Sequence, residues 1–206
     1  MGLISNGTTI FDAGALDSGL AKGAMTFIKK LTASSSATLS FVDGASGVVL
    51  DDTYKEYVFT FNNMHPSSDG ALFQSNMSID AGSNYNVTKT TTVFRARHAE
   101  GGGTADLAYR SGNDLAQATG KQTLTDNIGS DNDQSVSGFL HLFNPSSTTF
   151  VKHFLANTNT AYSDNYSINI YTAGYCNTTS AVDAIQFSMS SENIDSGVIK
   201  LYGIGG

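Results

Sequence analysis

Regular alternation of apolar and polar residues is the feature that most constrains this chain. In residues 181–190, Ile185, Phe187 and Met189 share one side of an extended chain, while Gln186 and Ser188 lie on the other. Successive side chains of a β-strand point to opposite faces, so a period of two indicates a strand with one buried face. Similar segments predict about ten strands, at residues 25–32, 38–42, 54–62, 71–79, 91–97, 136–143, 148–156, 166–171, 181–190 and 197–204.

The alternation also predicts which side chains form the core. We expect these residues to be buried between two packed sheets: Phe59, Phe61, Phe150, Ile185, Phe187 and Leu201. Residues 136–143 differ, with Phe139 and Phe143 on one side and Leu140 and Leu142 on the other. Because both sides are apolar, this segment is predicted to be a central strand covered on both faces.

Short strands separated by turn sequences such as Asp43-Gly44 and Asp69-Gly70 are typical of an all-β fold. We predict a jelly-roll-like β-sandwich of about eight to ten antiparallel strands, formed by a single domain over residues 25–206. Residues 98–135 are long and polar, which predicts a surface excursion with at most one small hairpin. Residues 1–24 are predicted to form an N-terminal arm with a short helix or turn at 13–24.

The charge of the chain and the length of its apolar runs disfavour two classes of partner. Charged residues make up 14% of the chain, the net charge is −7 and the pI is about 4.8. A protein that binds phosphate backbones normally presents a basic patch, so nucleic acid is not an expected partner. No apolar run reaches the ~18 residues of a membrane span, so no membrane partner is expected.

Cys176 is the single cysteine, which excludes a disulfide within the chain.

No motif for catalysis or metal binding stands out. The four histidines lack metal-ligand spacing, and no Gly-x-Ser-x-Gly sequence is present. Asp131 and Asp133, with Asp126 nearby, resemble half of a calcium loop, but its glycine and closing glutamate are missing. A solvated turn is the better interpretation, although a cation at Asp131 and Asp133 stays open. We therefore predict no enzyme activity, no cofactor and no metal site.

The first twelve residues carry a separate apolar group, consisting of Leu3, Ile4, Ile10 and Phe11 around a polar spacer. This pattern allows two interpretations. The segment is either an extra edge strand of the same domain or an arm that packs on a neighbouring subunit. The second interpretation makes these four residues a subunit interface. Together with the surplus apolar residues Phe139 and Phe143, it predicts self-association, with a trimer as the expected closed oligomer.

Three stretches of the chain resemble small structural proteins of marine tailed phages of the cyanophage and pelagiphage type. They read SFVDG with GVVLDDTYKEY at 40–57, GFLHLFNPSSTTFVKHF at 138–154, and AGYCNTTSAVDAIQF at 173–187 with IKLYGI at 199–204. The resemblance implies a location in the virion, assembled in the host bacterial cytoplasm, and brings no catalytic residues with it. Assembly in a reducing compartment also agrees with the absence of disulfide pairs.

The resulting expectation is an exterior component of the virion, most simply a head decoration or cement protein that forms symmetric oligomers and contacts other virion proteins. One alternative is a tail-fibre or receptor-binding domain that contacts a host surface glycan or protein. A further alternative is a polysaccharide depolymerase, whose mark would be a cleft with paired carboxylates. The chain shows no stalk or shaft repeat, which favours the decoration protein over the fibre.

Overall fold

The computed structural model describes residues 3–12, 15–16 and 24–205, and this part of the chain contains strands and loops but no helix. The strands are, in chain order, β1 (Leu3–Ser5), β2 (Thr8–Asp12), β3 (Ala15–Leu16), β4 (Met25–Ser36), β5 (Leu39–Val42), β6 (Glu56–Pro66), β7 (Phe73–Ser78), β8 (Lys89–Ala99), β9 (Ala105–Tyr109), β10 (Gln122–Thr123), β11 (Val136–Phe143), β12 (Lys152–Tyr162), β13 (Tyr166–Cys176), β14 (Ala184–Met189) and β15 (Ile194–Ile204).

The strands form three antiparallel sheets. The large sheet has eight strands in the order β4-β15-β6-β11-β12-β13-β8-β9, and the small sheet has four in the order β10-β7-β14-β5. Strands β1, β2 and β3 form a separate three-stranded sheet. The predicted all-β sandwich is confirmed. Its jelly-roll connectivity is not confirmed, because the two main sheets contain eight and four strands rather than a matched pair.

All ten strands predicted from alternation coincide with or overlap an observed strand. The predicted turns at Asp43-Gly44 and Asp69-Gly70 also lie between strands, and Gly44 and Gly70 both have φ of 72°. That left-handed conformation favours glycine, since a Cβ atom would be strained there. The poorest match is the segment predicted at 148–156, because its strand begins only at Lys152.

The core lies between the small sheet and the middle of the large sheet. Phe187 of β14 is its centre, with ring centroids 5.5 Å from Phe59, 5.2 Å from Phe61 and 5.7 Å from Phe73. These four rings and Leu201 are at most 1% exposed. Rings from both sheets thus interlock across the sandwich, and the predicted burial of Phe59, Phe61, Phe187, Ile185 and Leu201 is confirmed.

Two predictions about the core are wrong. Phe150 is 68% exposed, because residues 148–151 form a loop and the inward alternation begins only with β12. Strand β11 is central in the large sheet, as expected, but only one of its faces is covered. Leu140 and Leu142 are fully buried, whereas Phe139 is 40% exposed and Phe143 is half-buried on the opposite face.

Residues 98–135 only partly form the expected surface excursion. Strand β9 pairs with β8 as a hairpin, and its Leu107 is exposed. The surface prediction is wrong for the later part, because the segment at 122–128 returns beneath the large sheet. Leu124, Asp126 and Ile128 are buried there.

Ion pairs and hydrogen bonds fix this returning segment. Arg95 of β8 donates to Asp126 at 2.7 Å, and Arg110 donates to the other oxygen of the same carboxylate at 3.0 Å. Thr158 of β12 donates to the Leu124 carbonyl at 2.5 Å. This burial is hard to predict from the sequence, because the polar residues of the segment are satisfied by partners elsewhere in the chain, as buried polar groups require.

The N-terminal segment is not an edge strand of either main sheet, so that interpretation is wrong for the described residues. Its strands β1, β2 and β3 pair only with one another. The predicted short helix or turn at 13–24 falls largely outside the described residues. Within it, Ala15–Leu16 forms β3.

Candidate functional site

The main candidate site is the outer face of the large sheet, which is the face turned away from the small sheet. Eight large apolar side chains on this face are more than one-third exposed. Met25 and Phe27 lie on the edge strand β4. The other six lie together at the opposite side of the sheet and are called the apolar patch: Phe94, Leu107, Tyr109, Phe139, Leu155 and Tyr171. The patch covers five neighbouring strands, from β11 through β12, β13 and β8 to β9. It is therefore one continuous surface rather than a set of scattered residues.

Strand register aligns most of the patch in a row that runs across the sheet. Tyr109 pairs with Phe94, and Phe94 pairs with Tyr171. Tyr171 pairs with Asn157, which in turn pairs with Phe139. Directly opposite residues in adjacent strands have Cβ atoms roughly 5 Å apart, so their side chains touch. Three of these pairs join consecutive strands, and the pairing of β13 with β8 joins segments that lie far apart in the sequence.

The patch has a ridge and a groove. The rings of Phe94 and Tyr171 stack with centroids 4.9 Å apart and planes 10° from parallel, and they form the ridge. Beside the ridge lies a groove of about 320 Å³, bordered by Phe139 and Leu155 with Ala173 in its lining. The small side chain of Ala173 lies where a larger residue would fill the groove. A surface with both features can receive a protruding side chain and can also insert one.

Formal charge is absent from this part of the outer face. On β8, β9, β11, β12 and β13, none of the outward-facing positions is Asp, Glu, Lys or Arg. The polar side chains are largely amides and hydroxyls, including Asn157 and Asn169, whose side chains hydrogen-bond to each other at 3.0 Å. Carboxylates lie at the two borders of this part of the face: Glu56 on β6 pairs with His141, and Asp114, in the loop after β9, accepts a hydrogen bond from the Tyr109 hydroxyl at 2.5 Å. Interface cores are depleted in charge and enriched in aromatic residues, and this face has that composition.

The interface residues predicted from the sequence lie elsewhere. Leu3 and Ile4 are 61% exposed on β1, and Ile10 is half-buried on β2. The side chain of Phe11 lies outside the described residues. No strand pairing joins this sheet to the large sheet in the described ranges. Their role as a subunit interface remains a prediction.

Sequence reasoning missed most of the apolar patch. One signal is present in the sequence, since β11 carries apolar residues on both sides and Phe139 exceeds what one buried face needs. Phe94, Leu155 and Tyr171 interrupt alternation in the same way, but each looks like a single exception within its own strand. Only register shows that these exceptions are neighbours.

A second, polar candidate site is a cleft of about 520 Å³ where the end of β6 meets residues 132–135 and β15. His65 and the carboxylates of Asp133 and Asp195 line it, and His65 Nδ1 lies 2.7 Å from the Gln134 carbonyl. Asp126 is held by its two arginines and does not join Asp131 and Asp133. Among the described residues, no group of three or more His, Cys, Asp or Glu could hold a metal ion.

Buried ionisable residues form a third cluster. Lys152, Cys176 and Lys89 are register partners in one row across β12, β13 and β8, and each is at most 1% exposed. Burial lowers the pKa of Lys89 to about 8 and raises the pKa of Cys176 to about 12. It also lowers the pKa of Lys152. A buried thiol that keeps its proton is a poor nucleophile, so Cys176 acts as core packing beside Met77.

Comparison of the chain with protein-family models, curated proteins and solved structures found no match. Within the ranges described above, no helix has the length and apolar character needed to cross a membrane.

Proposed function

We propose that this chain is an exterior structural component of a phage virion, most simply a head decoration or cement protein, and that it assembles through the apolar patch. The observation that carries the proposal is the uncharged aromatic face across five strands of the large sheet. The resemblance to marine phage structural proteins supplies the virion context. A rigid sheet with a binding surface, rather than a reactive centre, suits a protein whose task is to hold a particle together.

The ridge and groove support assembly with further copies of the same chain. The Phe94–Tyr171 ridge of one copy fits into the groove of the next, which is a heterologous contact. Heterologous contacts close into rings when the rotation permits, and the expected trimer is the smallest such ring. Covering a large apolar side chain yields about 1.5–3 kcal/mol when the side chain passes from full exposure to full burial. The patch residues are already partly covered in the monomer, so each contributes only a fraction of this free energy to association.

The test is the oligomeric state of the purified protein, measured by sedimentation or light scattering. Tyr171→Asp places a charge at the centre of the patch and should convert the trimer to a monomer. Phe150→Asp is the matched control, because Phe150 is also aromatic and is more exposed than Tyr171 (68% against 46%) but lies in a loop outside the patch. The control should remain a trimer. A wild-type chain that is monomeric at high concentration and in the particle would refute assembly through this face.

A tail-fibre or receptor-binding domain is the second candidate, and the polar cleft favours it. Amide, hydroxyl and carboxylate groups from residues 63–65, 132–135 and 195–196 converge there, as they would to hydrogen-bond a host surface glycan. Asp133→Asn with Asp195→Asn should abolish attachment to host cells under this hypothesis and should leave it unchanged if the chain is a cement protein. The same pair of carboxylates would be needed by a depolymerase, so loss of glycan cleavage in this variant would identify that activity. Electron microscopy of the particle would locate the protein on the head or the tail.

A further inference from the structure

The buried amine of Lys89 lies against the side-chain amide of Asn76. Lys89 Nζ is 2.5 Å from Asn76 Oδ1, and both residues are at most 4% exposed. A carbonyl bond is about 1.23 Å long, so Nζ lies within about 3.7 Å of the amide carbon. Near-attack geometries place reacting atoms roughly 3–3.5 Å apart. Lys89 Nζ therefore lies close to the side-chain amide carbon of Asn76, in an interior from which water is excluded.

Hydrogen bonds fix both the oxygen and the nitrogen of the Asn76 side-chain amide. Its oxygen also accepts the backbone N–H of Met77 at 2.9 Å. Its nitrogen donates to the Tyr85 carbonyl at 2.5 Å and to the Thr119 carbonyl at 3.1 Å. The Met77 N–H points at the atom that gains negative charge when a nucleophile adds to the carbon, which is the arrangement of an oxyanion hole. The amide is thus fixed and polarised.

Lys89 has no counter-ion among the described residues. Its other hydrogen-bond acceptor is the Val87 carbonyl at 2.7 Å, and no carboxylate forms an ion pair with it in this part of the chain. An isolated buried ammonium is costly, and burial favours the neutral amine, which is the nucleophilic form. Conversion of this amine to an amide would remove the buried charge.

We infer that Lys89 and Asn76 form an intramolecular isopeptide bond after the chain folds. The neutral amine adds to the amide carbon of Asn76, one amine proton passes to the Asn76 nitrogen, and that nitrogen leaves as ammonia. One C–N bond forms and one breaks, with no oxidant or reductant. Asn76 belongs to β7 of the small sheet and Lys89 begins β8 of the large sheet, so the bond joins the two layers of the sandwich.

Such a bond suits a chain that has a single cysteine. A covalent link that closes the loop between Asn76 and Lys89, 13 residues apart, restricts the unfolded state, which is also how a disulfide stabilises a protein. An isopeptide bond does this without an oxidising compartment. The inference is independent of the proposed function, since it concerns the core and not the apolar patch.

Lys152 provides an internal control. It is equally buried, and its Nζ hydrogen-bonds to the backbone carbonyls of Phe150 and Thr178 at 3.0 and 3.1 Å. No side-chain amide is among these partners, so Lys152 should remain a free amine. Lys152→Met should therefore keep the cross-link, whereas Lys89→Met and Asn76→Ala should both lose it.

The experiment is mass spectrometry of folded protein after several days at about pH 9, where the Lys89 amine is largely neutral, with tryptic mapping. The wild type and Lys152→Met should yield a peptide spanning residues 56–95 that is about 17 Da light, the mass of ammonia, and is not cut after Lys89. Protein held in urea, Lys89→Met and Asn76→Ala should lack this cross-linked loop. Cleavage after Lys89 with full peptide mass in the folded wild type overturns the inference. A light peptide that is still cut after Lys89 also overturns it, because that product is a succinimide at Asn76.

Discussion

The two faces of the large sheet are built from the same strands and differ in what covers them. Along β11 and β12, Leu140 and Phe154 point inward and are fully buried, while Phe139 and Leu155 point outward and remain more than one-third exposed. On the inner face, the small sheet and the returning segment at 122–128 exclude water. On the outer face, no other element of the described chain does. Apolar residues on both sides of a strand therefore mark two different contacts, one within the subunit and one that we assign to assembly.

The sharpest test of this difference is a pair of matched truncations. Phe187→Ala removes a ring that packs against four others in the core, and we expect a loss of about 3–5 kcal/mol in the free energy of unfolding. Phe94→Ala on the outer face should cost less than half as much in the monomer, because its ring is already 43% exposed. Urea denaturation measures both. Equal losses would show that the outer face is as tightly packed as the inner one.

The burial of Lys89 on the inner face makes the free energy of unfolding depend on pH. While Lys89 is a free amine, its pKa of about 8 lies below the ordinary value of 10.5, so the unfolded chain binds more protons between these values. Stability should therefore rise with pH from about 8 to 9, with a gain of about 1 kcal/mol between pH 7 and 9. Lys152, whose pKa is also lowered, acts in the same direction.

Above pH 9 the effect of Cys176 opposes this gain, because its thiol keeps its proton in the folded state up to about pH 12. The measurement is urea denaturation of freshly refolded protein at several pH values. Lys89→Met should remove most of the rise, as should formation of the Lys89–Asn76 bond. A rise of the same size in Lys89→Met would show that another group is responsible.

Leu107 tests the outer face with a smaller perturbation. It is 73% exposed on β9, so Leu107→Ser should change the free energy of unfolding by no more than about 0.5 kcal/mol. The same change should weaken self-association, since it removes apolar area from the patch. Sedimentation at several concentrations measures the association. Unchanged association would place Leu107 outside the contact and limit the interface to the Phe94–Tyr171 side.

The smallest expected effect on stability is that of the N-terminal segment. Deletion of residues 1–12 should leave the melting temperature nearly unchanged, because β1 and β2 do not pair with either main sheet. If Leu3, Ile4, Ile10 and Phe11 contact a neighbouring subunit, particles with the truncated chain should lose the protein or become less stable. Loss of folding on deletion would instead show that the segment is needed by the domain itself.

The strand segments and most of the core were predictable from the sequence. Alternation located ten strands and placed Phe59, Phe61 and Phe187 in the core, because side-chain direction in a strand depends only on position along it. The failure at Phe150 has a local cause. Alternation predicts that residues 148–151 belong to the following strand, but they form the loop that leads into β12.

The all-β sandwich and its weakly charged surface follow from the amino-acid sequence alone, since period, turn residues and composition are properties of the chain. Which strands become neighbours emerges only in the folded chain, and with it the apolar patch, the returning segment at 122–128 and the contact between Lys89 and Asn76. Each of these depends on how the strands pair and how the two sheets pack. Register is selected by the burial of a whole face and by turn geometry, so it cannot be read from any single strand.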